Sequence, residues 1–319
     1  MANSSPNLTH LNERGHLLTE QANPNSQTLD QLSTLELVQL FNQEDYRVLE
    51  AIASAETAIA QAIDLTAQCL RQGGRLFYVG AGTSGRLGVL DAAECPPTFC
   101  TPPELVQGII AGGAAALVRS SEDLEDRQED GAGAIAHRQV TDLDVVVGIT
   151  AGGTTPFVHG AIQAARQRGA HTIFIACVPQ DQFAIEVDVD IRLLVGPEIL
   201  AGSTRLKAGT VTKLVLNTLS TGVMVQLGKV YGNRMVDVAV TNNKLHDRAL
   251  RIVQDLTDLS RPEAALLLER SGRQVKLALL MHWTGLDAEA GDRLLAQHQG
   301  QLRQALEHHS ASQKDASTD

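Results

Sequence analysis

A loop of glycine and hydroxyl residues lies between an apolar run and a predicted helix, at a place where a ligand could bind. Residues 80–85 read GAGTSG and follow the run LFYV. Glycines let the backbone approach a ligand closely, and the amides at a helix N-terminus carry partial positive charge. Gly82, Thr83 and Ser84 therefore suit a phosphate group, although the same residues also fit an ordinary tight turn. The spacing matches neither GxxxxGK[ST] nor GxGxxG, so a nucleotide is not the first ligand to expect.

A second loop of this kind occurs later in the chain. The segment GPEILAGSTRLK, residues 196–207, follows another apolar run and leads into a long apolar helix. Ser203, Thr204 and Lys207 supply two hydroxyl groups and one positive charge. Because parallel strands place their carboxyl ends at one edge of a sheet, we expect the two loops to converge on one anion site. The alternatives are that Ser203 only caps the helix and that Lys207 lies on the surface.

Composition and charge narrow the class of protein. The formal net charge is -11, which disfavours nucleic acid as a partner because phosphate backbones need a basic surface. No apolar run reaches the roughly 20 residues needed to cross a bilayer, and no secretory signal is visible. Four cysteines lack both metal-type spacing and the density of a disulfide framework. We therefore expect a soluble cytoplasmic protein that binds a small anion, with no nucleic acid, membrane or metal.

The apolar pattern predicts the fold that positions these loops. Four short runs without polar alternation, separated by helical segments, indicate parallel strands buried on both faces, which is typical of a doubly wound α/β domain. The runs are residues 76–79, 143–149, 172–178 and 191–195. The expected organisation is an N-terminal arm and helix (1–54), a sugar-phosphate domain (55–240), a small helical C-terminal domain (241–308) and a disordered tail (309–319).

Helix signals frame this domain. Ser33 and Glu36 match a capping box, which predicts a helix start. Apolar spacing predicts longer helices over residues 46–72 and 204–230. Two consecutive prolines, Pro96 and Pro97, are expected to end the helix that begins in the first glycine loop.

These segments resemble one enzyme family. GAGTSGR and GPEILAGSTRLKAGTVTKLVLNTLSTGVMVQLGKVYGNRMVDV are similar to the N-acetylmuramic acid 6-phosphate etherases, which belong to the sugar isomerase (SIS) domain superfamily. The arm LTEQANPNSQTLDQLSTLELVQLFNQED resembles that family's opening segment. The resemblance covers residues 18–248, with a looser match in the C-terminal helices. It implies hydrolysis of a D-lactyl ether to N-acetylglucosamine 6-phosphate and D-lactate, by a cytoplasmic homodimer without cofactors, in peptidoglycan recycling.

The resemblance also implies two catalytic carboxyl groups. The segment DAAECPPTF matches Glu94 to the family's acid/base glutamate, and SSEDLEDRQEDG matches Glu125 to the second one, with Glu122 as the alternative register. In the open-chain sugar the C1 aldehyde acidifies C2–H, so Glu125 would remove that proton while Glu94 protonates the departing lactate oxygen. Water then adds to the double bond. We expect Glu94 at a helix C-terminus, where the helix dipole favours its neutral form.

The loop after the second predicted strand departs from the family pattern. The family typically reads ASGRTPY, whereas residues 151–157 here read AGGTTPF. Gly153 and Thr155 keep the family's positions and are expected to bind the phosphate. Gly152 replaces a serine and Thr154 an arginine, so either phosphate binding is weaker or Thr154 compensates.

Two other functions share parts of this pattern. A non-catalytic sugar-phosphate regulator, as in the glucokinase regulatory proteins, needs the anion loops but no acid/base pair, and those regulators carry two SIS domains. An aldose–ketose isomerase also removes a C2 proton but returns it to C1. Retention of Glu94 and Glu125 in a chain with one SIS domain favours the etherase.

Overall fold

A five-stranded parallel sheet forms the centre of the protein, in the order β2-β1-β3-β4-β5. The computed structural model describes residues 14–119 and 122–316. The strands are β1 (Leu76–Gly80), β2 (Val106–Ile110), β3 (Val145–Ile149), β4 (His171–Ala176) and β5 (Val189–Arg192). The four predicted strands are confirmed to within a few residues. The strand β2 was not predicted, because VQGII is an edge strand whose polar and glycine residues interrupt the apolar run.

Helices cover both faces of this sheet. The helices are α1 (Thr34–Ser54), α2 (Glu56–Arg71), α3 (Gly82–Phe99), α4 (Gln128–His137), α5 (Pro156–Gln167) and α6 (Lys207–Gln226). Successive strand residues point to opposite faces, so Tyr78 packs with α1, α2, α3 and α6, whereas Phe77 packs with α4 and α5. The predicted doubly wound α/β class is therefore confirmed.

The boundaries of the first two helices differ from the predicted ones. The capping box at Ser33 and Glu36 is confirmed as the start of α1. The single helix expected over residues 46–72 is instead two helices, because Ala55 leaves the helical region with φ -103° and ψ 3°. This bend lets both α1 and α2 contribute to the core that contains α6. Without a glycine or proline at the bend, the apolar periodicity alone did not indicate it.

The prediction that Pro96 and Pro97 end helix α3 is wrong. The helix continues through both prolines to Phe99, and Cys100 closes it in the left-handed region with φ 51°. The prolines remove two backbone donors, but Cys95 and Phe99 are buried on both sides of them and Cys100 N donates to Pro96 O. Packing of the last turn therefore outweighs the lost hydrogen bonds.

The C-terminal helices form a second hydrophobic core. They are α7 (Asn243–Thr257), α8 (Arg261–Arg270), α9 (Val275–Thr284), α10 (Ala288–Gln297) and α11 (Leu302–Ala316). A two-stranded hairpin, β6 (Val230–Tyr231) with β7 (Arg234–Met235), precedes them. Val236 and Val238 pack in this second core, so it begins before residue 241.

The chain end also differs from the sequence-based expectation. A disordered tail was expected from residue 309, whereas α11 continues through Ala316, and residues 317–319 lie outside the described part of the chain. Ser310 and Ser312 donate hydrogen bonds to carbonyl groups four residues earlier, which fits a continuing helix. Within the described ranges, no helix is both long enough and apolar enough to span a membrane.

Candidate active site

The strand order reverses beside β1, and the predicted loops follow the two strands at that point. β1 pairs with β2 on one side and with β3 on the other, with Gly80 opposite Ile149. The loop after β1 leads into α3 on one face, and the loop after β3 leads into α5 on the other face. In open parallel sheets the crevice between two such loops is where ligands bind.

The first turn of α3 is open for an anion. The helix begins at Gly82, its N-cap Ala81 has no side-chain hydrogen bond, and no acidic residue lies in its first turn. Thr83 and Ser84 are half-buried in that turn. The backbone amides at this end are therefore available, together with two hydroxyl groups, to a phosphate.

The N-terminus of α6 is already occupied by a carboxylate of the protein itself. Glu198 is fully buried, and its two oxygens accept hydrogen bonds from Lys207 N at 3.0 Å and Ala208 N at 2.9 Å. Burial raises the pKa of Glu198, against the stabilising effect of these donors. The alternative that Ser203 only caps this helix is therefore wrong, since the helix starts at Lys207, four residues later, and Glu198 accepts the hydrogen bonds of its first amides.

The two loops nevertheless converge. A Cβ placed on Gly209, in the first turn of α6, would lie 3.3 Å from Thr83 Cγ2 and 3.5 Å from Thr204 O. Ser203 and Thr204 are half-buried and lie just before α6. The structure thus brings Thr204 next to the first turn of α3, as the shared sheet edge required.

The loop after β3 has a fixed shape that depends on glycine. Gly153 adopts φ +80°, and a Cβ there would lie 3.1 Å from Phe183 Cβ. The His159 ring nitrogen Nε2 lies 2.7 Å from Gly153 O. Burial lowers the pKa of His159, so the neutral ring donates Nε2–H to that carbonyl. Thr155 Oγ1 lies 2.8 Å from Thr150 Oγ1, which orients its hydroxyl.

Glu125 lies at this same edge of the sheet. Its carbonyl oxygen accepts a hydrogen bond from Phe157 N at 3.0 Å, which attaches the residue to the first turn of α5. The residue is half-buried. Its register alternative, Glu122, has its side chain outside the described part of the structure.

Glu94 lies far from the first glycine loop of its own chain. It follows Thr83 by 94 − 83 = 11 residues in one helix, which is about 16 Å along the axis. The residue is exposed and lies five residues before the end of α3, not at its last turn. The prediction that Glu94 lies at the C-terminus of its helix is therefore wrong.

Lys207 has a buried partner within the fold. Its Nζ lies 2.6 Å from Glu44 Oε2, and the two side chains are 1% and 3% exposed. Burial disfavours ionised Glu44, but hydrogen bonds from Lys207, Asn25 and Asn23 lower its pKa to about 2. Glu44 thus neutralises the charge of Lys207. Phosphate binding by Lys207 stays a prediction, and its pairing with Glu44 does not support it.

The N-terminal arm is the part of the site that sequence reasoning missed. Leu18 N donates to Gln182 Oε1 at 2.9 Å, and Asn23 Nδ2 donates to Pro197 O at 3.0 Å. This part of the arm therefore binds to the segments after β4 and β5. In the sequence, the arm was marked only by its resemblance to the family's opening segment. That resemblance does not indicate which residues the arm contacts.

Three family models match the chain. They describe the glucokinase regulatory protein N-terminal SIS domain over residues 58–166, the SIS domain over residues 130–221, and the C-terminal lid domain of glucokinase regulatory protein over residues 232–278. A phosphoheptose isomerase from Francisella tularensis superposes with a TM-score of 0.48 at 18% identity, over 61% of this chain and 100% of that chain.

Much closer relatives cover nearly the whole length. A protein from Trichormus variabilis is 78% identical over 94% of this chain and 97% of its own. One from Gloeothece citriformis is 75% identical over 97% of this chain and 100% of its own. Both are named N-acetylmuramic acid 6-phosphate etherase.

The parallel sheet, the open first turn of α3 and the glycine-rich loops at the strand reversal define a SIS domain protein. Among proteins of that class, the full-length identities decide the family. The chain belongs to the N-acetylmuramic acid 6-phosphate etherases.

Proposed function

We propose that this protein cleaves the D-lactyl ether of N-acetylmuramic acid 6-phosphate, giving N-acetylglucosamine 6-phosphate and D-lactate. The observation that carries the proposal is the 78% identity over 94% of the chain to a relative of that name. The open first turn of α3 supports it, because it offers amides and hydroxyl groups to the phosphate of such a substrate. The proposed setting is peptidoglycan recycling in the cytoplasm, where the four free cysteines would stay reduced.

The chemistry requires one base and one acid on the open-chain sugar. Glu125 takes the C2 proton, and the electron pair forms the C2–C3 double bond as the C3–O bond to lactate breaks. Glu94 supplies the proton that the lactate oxygen needs to leave. Water then adds at C3, and a proton returns to C2. Each proton transfer contributes about 10²–10⁴-fold to the rate.

The position of Glu94 leads to a second part of the proposal, a homodimer with shared sites. In the open-chain substrate, six single bonds separate the phosphorus atom from the ether oxygen on C3. Each bond adds about 1.2 Å to an extended chain, so these two atoms are at most about 7 Å apart. An extended glutamate side chain reaches about 5 Å from its Cα, which leaves the Glu94 carboxyl about 11 Å from the first turn of α3. The phosphate would lie beyond that turn. Glu94 therefore serves the sugar held by the other subunit.

An apolar surface suited to such a dimer lies on α1. Four large side chains there are more than half exposed: Leu35 (67%), Val38 (51%), Tyr46 (70%) and Leu49 (60%). Leu90 on α3 is 51% exposed and lies one turn before Glu94. A second copy that covers these residues would remove them from water and bring its own loops towards Glu94.

Mixing two inactive variants tests the shared site. Glu94→Gln and Glu125→Gln are each expected to release almost no lactate, because each lacks one proton-transfer group. If Glu94 acts across the dimer, refolded mixtures form heterodimers in which one site has both glutamates. Random pairing of equal amounts makes half of the dimers heterodimers, and each heterodimer has one complete site of two. About a quarter of wild-type activity should therefore return. No recovery in mixtures shown by size analysis to contain heterodimers would contradict sharing.

A regulator without catalysis is the second candidate, because the family models include the SIS and lid domains of glucokinase regulatory protein. Incubation of the wild-type protein with N-acetylmuramic acid 6-phosphate separates the two. Lactate release that Glu94→Gln abolishes supports the etherase. Tight binding of the sugar phosphate by a folded wild-type protein that releases no lactate supports the regulator instead.

A further inference from the structure

The N-terminal arm crosses the sheet edge between two of the site's loops. A Cβ on Gly152, in the loop after β3, would lie 3.5 Å from Thr19 Oγ1. A Cβ on Gly202, in the loop before α6, would lie 3.1 Å from Glu20 Oε2. Two consecutive arm residues therefore contact loops that follow different strands. The arm forms a wall of the crevice.

Hydrogen bonds on both sides hold this part of the arm in place. Before it, Leu18 N donates to Gln182 Oε1. After it, Asn23 Nδ2 donates both to Pro197 O and to the buried Glu44 carboxylate at 2.7 Å. The backbone that carries Glu20 is thus fixed at two points only five residues apart. This places the Glu20 Cα at a defined position beside the loop before α6.

The Glu20 carboxylate is unusual in that position. The residue is exposed, and its backbone N–H donates to Leu17 O at 2.9 Å. Among the residues that the structure describes, its carboxylate has neither an ion-pair nor a hydrogen-bond partner. It lies against Gly202, whose φ of +76° and close contact with Glu20 favour glycine. Gly202 O accepts a hydrogen bond from Thr204 N at 3.1 Å, and Thr204 O lies near the first turn of α3. The carboxylate therefore contacts the second anion loop two residues before Thr204.

Charge decides which part of a ligand would meet this carboxylate. A phosphate at the first turn of α3 would be repelled by a nearby carboxylate. Sugar hydroxyl and acetamido N–H groups are donors, and an ionised carboxylate is an acceptor with two oxygens. A hexose 6-phosphate extends several ångströms beyond its phosphate, which places its polar carbon chain in the range of Glu20.

We propose that Glu20 binds the sugar portion of the substrate, by accepting hydrogen bonds from its hydroxyl or acetamido groups while α3 binds the phosphate. This inference rests on the proposed function for its choice of substrate. Its test uses binding, so that it does not depend on turnover.

The experiment compares Glu20→Gln with a matched control, Asp30→Asn. Asp30 is exposed on the same arm, in a short 3-10 helix, and its substitution removes the same charge. Calorimetric titrations with N-acetylglucosamine 6-phosphate and, separately, with inorganic phosphate are run on the full chain. A third variant, Glu20→Asp, keeps the charge but shortens the side chain. Melting temperatures establish that all variants are folded.

The expected result is a loss of about 10-fold or more in affinity for the sugar phosphate in Glu20→Gln, with phosphate affinity unchanged. Asp30→Asn should match the wild type for both ligands, and Glu20→Asp should lie between. Unchanged binding of both ligands would overturn the inference, and so would an equal loss for both, which indicates a distorted site. Tighter phosphate binding would place Glu20 beside the phosphate and also overturn it. A wild-type protein that binds the sugar phosphate but releases no lactate contradicts only the proposed function.

Discussion

The buried ion pair between Glu44 and Lys207 makes a quantitative prediction about stability. The two side chains are almost fully buried, and their charged atoms lie 2.6 Å apart. Replacement Glu44→Gln leaves the Lys207 ammonium buried without a compensating charge. Breaking a buried pair from one side costs about 3–5 kcal/mol, so this variant should lose that much free energy of unfolding.

Urea denaturation of wild type and variant measures this loss. The control is Glu269→Gln, the same chemical change in a surface pair with Arg273 whose side chains are more than half exposed. It should cost less than about 0.5 kcal/mol. The double variant Glu44→Gln with Lys207→Met should recover much of the loss, because no buried charge remains.

The same variants decide the role of Lys207. If its charge is used only within the fold, the double variant should bind inorganic phosphate as the wild type does. A loss below about 1 kcal/mol in Glu44→Gln would refute the argument that Lys207 depends on Glu44. A marked loss of phosphate affinity in a stable double variant would instead restore Lys207 as a ligand.

Three further predictions follow from local geometry. Because the pKa of Glu44 is lowered from 4.5 to about 2, wild-type stability should fall as pH drops through that range, and urea titrations of Glu44→Gln should show a weaker fall. Gly153→Ala should cost about 1–2 kcal/mol in unfolding free energy and weaken phosphate binding, since φ is +80° and Phe183 is close; a neutral result contradicts this. Gly152→Ser should be neutral or up to about 1 kcal/mol stabilising in thermal melts, because its hydroxyl can bond the unpartnered Thr19 Oγ1; clear destabilisation would contradict it.

Local features of the sequence predicted the sheet and the loops that follow its strands. Apolar runs indicate buried strands, and glycine with threonine or serine after them indicates loops that approach a ligand. Both signals depend on residues close together in the chain, so the placement of Thr83 and Gly153 at one sheet edge followed from the α/β pattern.

Contacts between distant segments were not predictable in this way. Glu44 and Lys207 are 163 residues apart, and no pattern in the sequence indicates that they pair. The cap of α6 by Glu198 likewise depends on how the preceding loop folds back. The continuation of α3 past Pro97 depends on burial of Phe99, which outweighs a local rule about proline.

Isotope incorporation tests the central claim that the bond between C3 and the lactate oxygen breaks and that water supplies the new oxygen at C3. N-acetylmuramic acid 6-phosphate is incubated with the wild-type protein in water enriched in oxygen-18, and both products are analysed by mass spectrometry. The account predicts one solvent oxygen at C3 of N-acetylglucosamine 6-phosphate and none in the lactate hydroxyl group. Solvent oxygen in the lactate hydroxyl would show that the lactyl carbon–oxygen bond breaks instead, and would contradict the roles given to Glu94 and Glu125.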